Sequence, residues 1–370
     1  MEYKCEECGT PLRFEGLCWK CRAKKHRKEV DNWSTQEMDA RKQIVIEKLK
    51  SSNEDEFYTT DEHDLFNDLM TKGIDCKEIA RTACEKEIYY PSELYYKADS
   101  KISDILIEKL MATESANEGA NILRCLAMVG DKRAQETLYE LKKNPRPWRK
   151  QLYVDSDIYA EEGGWSFDKD GKRLELNFDI CYPLTEGCVE NSPVRIGRIR
   201  EDFCTHCGGK MVDILVLDGK DKRLKFLGVE GIITATCCPN CVGFLDGPAF
   251  NRFSLDGKSE IIPSKLFDNS EHMECYMRKE DYDLLANNNF TLAESNVPVF
   301  YGAFSDDVNT IGGFANWIQD WEYKECPICG KKMKYLAQIH WDTITDGAEG
   351  TLFIEICTDC KIIAMLHQQT

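Results

Sequence analysis

The chain is poor in histidine, and it has no long apolar run. Its 370 residues hold six histidines: His26, His63, His206, His272, His340 and His367. No two stand at the His-Glu-x-x-His spacing that sets two imidazoles and a base on one helical face, so a zinc hydrolase centre of that kind is excluded. Phosphate-cradling loops, nucleophile elbows and kinase signatures are also missing. No run of about 18 apolar residues occurs, so no membrane-spanning helix is expected. Met1-Glu2-Tyr3-Lys4-Cys5 lacks the apolar core of an export signal, and the chain is expected to stay in the cytosol, where thiols remain reduced. Positive charge is short as well. Against 65 Asp and Glu there are 48 Lys and Arg, a net of −17, which disfavours broad contact with a phosphate backbone.

Cysteine is abundant. Twelve of the 19 cysteines form six Cys-x-x-Cys knuckles: Cys5/Cys8, Cys18/Cys21, Cys204/Cys207, Cys238/Cys241, Cys326/Cys329 and Cys357/Cys360. In chain order they make three couples, with nine, thirty and twenty-seven residues between the inner cysteines. Two residues between cysteines let both sulfurs reach one ion from a tight turn, and two such knuckles make a closed tetrahedral zinc site. Three structural zinc ions are therefore expected. The competing reading, thioredoxin-type redox chemistry, needs the motif to follow a strand and open a helix in a βαβ unit. Here the knuckles come in couples beside glycine turns and strands. Cys237 is expected as a buried strand thiol, and Cys84 and Cys125 as helix-core residues. Cys76, Cys181, Cys188 and Cys275 fall outside the pattern, and His206, inside a knuckle, is expected to shape the turn.

The organisation reads as α+β in three parts. Residues 1–30 form a zinc ribbon too short to bury a core. Residues 31–147 read as helices. Ser34 to Glu37 is a capping box, Thr59 and Glu62 repeat that signal, and Ser103 is expected to cap a further helix. Gly130-Asp131 breaks the pattern, and Ile102 to Lys143 resembles a short helical repeat of the HEAT kind. Residues 148–370 turn to short apolar runs between Gly, Asp and Asn, including an alternating Leu174 to Phe178, and are expected to be β-rich.

That β-rich part carries an internal echo. Cys204-Thr-His-Cys207-Gly208 and Met211 match Cys326-Pro-Ile-Cys329-Gly330 and Met333. A strand follows each, and a second strand runs into the closing knuckle. The expectation is a duplicated β-unit, each copy clamped by metal at the root of its hairpin. The register beyond the knuckles and the pairing of knuckles between copies are left open by sequence.

The last third adds Gly312-Gly313, Trp317, Gln338, Gly350 and a terminal Gln368-Gln369 around its knuckles. This order resembles the YwqG-like family of bacterial proteins and the N-terminal part of eukaryotic programmed-cell-death-protein-two-like proteins, over residues 311–369 and, by internal echo, 200–245. Ala315 stands where that pattern often has proline. The resemblance implies binding modules: chaperones of a newly made ribosomal protein on one side, partner-binding or toxin-neutralising immunity proteins on the other. It brings no catalytic residue.

The expected function is a non-enzymatic, zinc-stabilised protein-binding adaptor or chaperone. Gly312, Gly313, Trp317, Gln338, Trp341 and Gln369 are the candidate partner-binding residues, with a tight turn and a packed Trp317 as the plainer alternative. A second reading is nucleic-acid association through Arg22, Lys24, Lys25, Arg27 and Lys28, set against a solvated helix end. The third is an enzyme in the β-rich part, which calls for a polar cleft away from zinc that holds a perturbed carboxylate or histidine.

Overall fold

Apolar residues at helical spacing turn inward along residues 35–143, and the chain there is helical. The structure is a computed structural model that describes residues 3–187, 189–268, 270–305, 307–345 and 347–369, so Cys188 lies outside the described residues. A two-residue hairpin, β1 (Tyr3–Lys4) and β2 (Pro11–Leu12), precedes α1 (Trp19–Asp31). Then come α2 (Thr35–Ser51), α3 (Glu54–Tyr58), α4 (Asp61–Thr71), α5 (Lys77–Glu85), α6 (Ser100–Ala112), α7 (Ala116–Val129) and α8 (Lys132–Lys143).

The caps follow side-chain chemistry, with two departures from expectation. Ser34 and Glu37 make the reciprocal capping box of α2. Thr59 does not start a helix. Asn53 and Glu56 form an earlier box that opens α3, and Thr60 precedes α4 without a side-chain cap. Ser103 does not cap α6 either. The carboxylate of Asp99 accepts the first free amides, and Ser103 turns inward to donate to Asp131 at 2.9 Å. Gly130, at φ 60°, ends α7, and Asp131 caps α8. The apolar cluster of these helices continues past residue 147, taking in Trp148, Tyr159, Trp165 and Phe300.

The remainder is largely strand. It comprises β3 (Trp165–Phe167), β4 (Arg173–Glu175), β5 (Phe178–Glu186), β6 (Val194–Phe203), β7 (Lys210–Asp218), β8 (Ile232–Cys237), β9 (Ala249–Phe253) and β10 (Ser259–Ile262). After α9 (Lys279–Ala286) come β11 (Phe290–Leu292), β12 (Thr310–Gly313), β13 (Lys334–His340), β14 (Thr351–Cys357) and β15 (Ile362–Gln368). The alternation at 174–178 is split, because the amides of Leu176 and Asn177 both turn to the Gly164 carbonyl. An eight-stranded antiparallel sheet runs β10-β9-β15-β14-β13-β12-β5-β11, and a three-stranded sheet runs β6-β7-β8. The two sheets share one apolar cluster, with Val212, Ile214 and Ala235 on one side and Leu336, Ile354 and Met365 on the other. Strand β14 is buried at every residue, which explains its nearly unbroken apolar run.

The duplication is present in the hydrogen-bond register. Asp213 faces Thr236 and Leu215 faces Ala235, with a bulge at Ile214. Tyr335 faces Glu355 and Ala337 faces Ile354, with a bulge at Leu336. Counted from Met211 and Met333, or back from Cys238 and Cys357, these positions coincide. The three-residue difference between the copies therefore falls in the turn that joins the paired strands.

Candidate metal centres and an aromatic cleft

Each couple of knuckles closes on itself. Cys5, Cys8, Cys18 and Cys21 form one cluster, Cys204, Cys207, Cys238 and Cys241 a second, and Cys326, Cys329, Cys357 and Cys360 a third. Within each, all four sulfurs lie within 4.8 Å of one another. Sulfurs stand 3.6 Å apart in Cys8–Cys18 and Cys207–Cys238, and 3.8 Å apart in Cys204–Cys241 and Cys329–Cys357. A disulfide needs about 2.0 Å. The edge of a tetrahedron of sulfurs around an ion at about 2.3 Å is close to 3.8 Å, so the spacing suits a four-thiolate metal site. No knuckle pairs across the two β-copies.

The opening knuckles share one backbone design. In each, the first cysteine carbonyl accepts from the glycine four residues on, at 2.9 Å: Gly9 to Cys5, Gly208 to Cys204, Gly330 to Cys326. These glycines have φ of 74°, 71° and 68°, the left-handed region where a side chain is disfavoured. The closing knuckles differ. Cys18 caps α1 and Cys21 sits in its first turn, so the positive end of the helix faces the thiolates. Cys238 and Cys357 instead stand at strand ends. His206 is not among the clustered ligands; its amide points to the Cys204 sulfur at 3.4 Å, and its ring contacts the Ser264 carbonyl at 3.0 Å.

The other described cysteines are packed thiols. Burial pushes Cys76, Cys84 and Cys181 up to about 12, 11 and 12, and raises Cys125 and Cys237 strongly. Cys275 is half-buried, and its sulfur lies against Gly209 beside the second cluster.

The expected partner-binding residues are placed differently from a groove edge. Gly312 and Gly313 are buried at a bulge against β5, with φ of 73° and 74°; a Cβ on Gly312 would meet the Ile180 carbonyl at 2.2 Å. Gln338 is fully buried. It accepts from the Asn316 amide at 2.9 Å and donates to the carbonyls of Gly302 and Val308. Trp317 packs on Phe353, with ring centroids 4.4 Å apart, and Trp341 on His367 at 4.8 Å. Of the terminal glutamines it is Gln368, not Gln369, whose side chain works inside. It accepts from the amides of Ile318 and Gln319 and donates to Asp320. Gln369 is exposed and offers only its carbonyl to Gln319. Two glutamines thus pin the loop 314–320.

That loop walls a cleft of about 530 Å3 between the helices and the β-rich part. Tyr58, Tyr90, Phe300, Phe314, Trp317 and Trp321 line it with rings. Glu93, Arg124 and Glu162 line the same cleft. Glu162 accepts from Ser92 Oγ at 2.7 Å and from Arg124 Nε at 3.1 Å. Burial, with the charge of Glu93 nearby, pushes its carboxyl up to about 7. Trp317 was the only sequence candidate that reaches this cleft. Its other walls come from five distant segments, and the run Tyr89-Tyr90-Pro91 is their one local trace in the sequence.

Helix α1 ties both parts together. His26 contacts Asp68 at 2.9 Å on α4. Lys20 pairs with Asp342 at 2.7 Å, Lys24 with Glu186 at 3.0 Å, and Arg27 with Asp307 and Ser305. Of the basic run, Lys24 and Arg27 are engaged internally, and Arg22, Lys25 and Lys28 point outward. No helix among the described residues is long and apolar enough to cross a membrane.

No family profile matches the chain, and no solved structure matches it. The chain is similar to the uncharacterised protein YpfL of Salmonella typhimurium, 26% identical over 293 residues, covering 77% of this chain and 67% of that relative.

Proposed function

We propose that the chain is a non-enzymatic binding protein, held in shape by three structural zinc ions, that docks a protein partner in the aromatic cleft. The observation that carries this reading is the separation of the two kinds of site. All three thiolate clusters supply four sulfurs, which leaves no open position on a tetrahedral ion, while the cleft lies elsewhere and contains no clustered cysteine. Zinc suits four thiolates at these spacings and brings no redox chemistry. Aromatic walls with a few polar groups are what a recognition site offers, while the raised carboxyl of Glu162 in the same cleft is the feature that favours the enzymatic reading instead. The resemblance to YwqG-like and programmed-cell-death-protein-two-like proteins supports the same reading, because its Trp lines the cleft and its Gln residues pin the loop that walls it.

A photo-crosslinking residue placed at Gln319, on the cleft rim, tests it. The expected result in the native host is an adduct with one defined polypeptide, absent when the probe sits at exposed Lys220. Equal adducts at both positions, or none at the cleft, would count against docking there. Elemental analysis of protein purified without chelator should find three zinc per chain.

A further inference from the structure

The cleft is unbalanced in charge and in hydrogen bonding. Glu93, Glu162 and Asp320 line it, and Arg124 is the one Lys or Arg among its lining residues. His63, also on its wall, is kept neutral near pH 7 because burial lowers it from 6.5. Arg124 is already committed. Its Nε bonds Glu162, its Nη1 bonds Asn121 at 3.1 Å, and its guanidinium lies over the rings of Tyr159 and Trp321. Ser92 has one hydroxyl proton, and Glu162 at 2.7 Å is better placed to accept it than Glu93 at 3.5 Å. Among the described residues Glu93 therefore has no basic partner and no good side-chain donor, and its own backbone amide is left to support it. One acceptor lining the same cleft is orphaned: the buried amide oxygen of Asn67 has no hydrogen-bond partner among the described residues. Near the carboxylate, the rings of Tyr58 and Tyr90 meet at 4.9 Å and 57°.

An acid without a counter-charge beside an orphaned amide oxygen calls for a ligand that donates, and ring faces favour that donor being a cation. We infer that the cleft receives a basic side chain of the partner, an arginine guanidinium or lysine ammonium, with Glu93 as its counter-charge, Asn67 as a further acceptor and Tyr58 and Tyr90 as its aromatic wall. The inference rests on the proposed docking of a protein in this cleft. Burial raises the carboxyl of Glu93, a cost to ionisation that an incoming cation relieves.

The test uses the full, metal-replete chain and four probes: N-acetyl-arginine amide, N-acetyl-lysine amide, the neutral N-acetyl-norleucine amide and spermidine. Calorimetric titration should show arginine or lysine amide binding at least about tenfold tighter than norleucine amide, a preference of about 1.4 kcal/mol. Glu93→Gln should abolish that preference, and Tyr58→Leu, at an exposed ring, should reduce it several-fold. Glu136→Gln, exposed on α8, should leave it intact. Norleucine amide binding as well as the cations, or an unchanged preference in Glu93→Gln, overturns the inference. So does spermidine binding tighter than both amides, which would assign the site to a free polyamine. A crosslinked partner without cation preference leaves docking standing and removes this inference. Cation preference without any crosslinked partner keeps the cation site and removes docking.

Discussion

The two duplicated hairpins share a knuckle, a bulge and a register, yet each buries its acid in a different way. In the first copy the acid is Asp213, on β7. It accepts from Thr236 across the pair at 2.6 Å and is held by Arg198 at 2.6 Å and Arg200 at 3.4 Å from β6. In the second copy the same cross-strand pair carries its acid on the other strand, as Glu355 opposite Tyr335. Glu355 is fully buried, accepts only the Lys324 amide at 2.9 Å, and has one oxygen with no partner. Burial holds its carboxyl well above the usual carboxylate range. The difference follows from where the strands lie. The first hairpin is flanked by β6, whose half-exposed arginines reach inward. The second is central in an eight-stranded sheet, where no arginine among the described residues pairs with Glu355. Duplication thus preserved backbone and metal site while the charge environment diverged.

The comparison breaks most visibly at the metal. Structural zinc contributes on the order of 10 kcal/mol to small folds. Cys357→Ser should therefore abolish cooperative unfolding of the β-rich part, because Cys357 ends the wholly buried β14. Cys5→Ser should instead free only the first ribbon. Its cluster packs against little more than Leu12 and Leu17. Urea denaturation followed by fluorescence, with metal analysis, separates the two outcomes. Each variant should lose one zinc, but only the first should lose its transition. Equal collapse of both would mean that the N-terminal cluster organises the whole molecule.

Next in size is the contrast between the acids. Asp213→Asn leaves two arginines facing a neutral amide in a buried site and should cost about 3–5 kcal/mol. Glu355→Gln keeps the shape of a buried carboxyl that has no basic partner among the described residues and should stay within about 1 kcal/mol of the parent. Urea midpoints at pH 7 measure both. A larger loss for Glu355→Gln than for Asp213→Asn would reverse the assignment of charge to the two copies.

Glu162 lies between these cases, with one arginine and one neighbouring acid. Its carboxyl is raised from 4.5 to about 7 in the folded chain. A raised acid favours the protonated fold, so its contribution is fully present below about pH 4.5 and is lost as pH rises through 7. The swing amounts to at most about 3 kcal/mol. Relative to the parent, Glu162→Gln should flatten the fall of stability between pH 4.5 and 7. Parallel pH profiles for the two proteins would show that Arg124 already holds Glu162 ionised.

These acids also mark what sequence could and could not tell. The clusters were legible because each ligand set needs only two local spacings, and Cys-x-x-Cys-Gly encodes its own turn. The duplicated unit was legible from Met211 and Met333, because an offset from a fixed knuckle survives in one dimension. The cleft was not legible. Tyr58, Glu93, Arg124, Glu162 and Trp317 are brought together by packing between distant segments, and none has a motif of its own. Gln368 was passed over for Gln369 because a one-residue step reverses which face of a strand looks inward. Asn53 was missed as a cap because Thr59 and Glu62 mimic the same signal.

The smallest effect sets a surface ion pair against the buried pair of the first copy. Lys24 reaches Glu186 at 3.0 Å, close to the 2.6 Å of Arg198 to Asp213, so distance alone predicts similar worth. Solvent decides otherwise. The Lys24 and Glu186 side chains are 57% and 72% exposed, whereas Asp213 is 2% exposed. In water the attraction is screened, and ordering two long side chains costs entropy that nearly offsets it. Lys24→Ala should therefore shift the urea midpoint by no more than about 0.5 kcal/mol, and the shift should vanish at 0.5 M salt, well above the roughly 0.1 M at which screening sets in. Helix α1 would still be held by Arg27 on Asp307 and Ser305, the inner contact of the same face. A loss above about 1 kcal/mol that persists in high salt would mean that Lys24 anchors α1 through something other than its charge, with its aliphatic stem the first suspect.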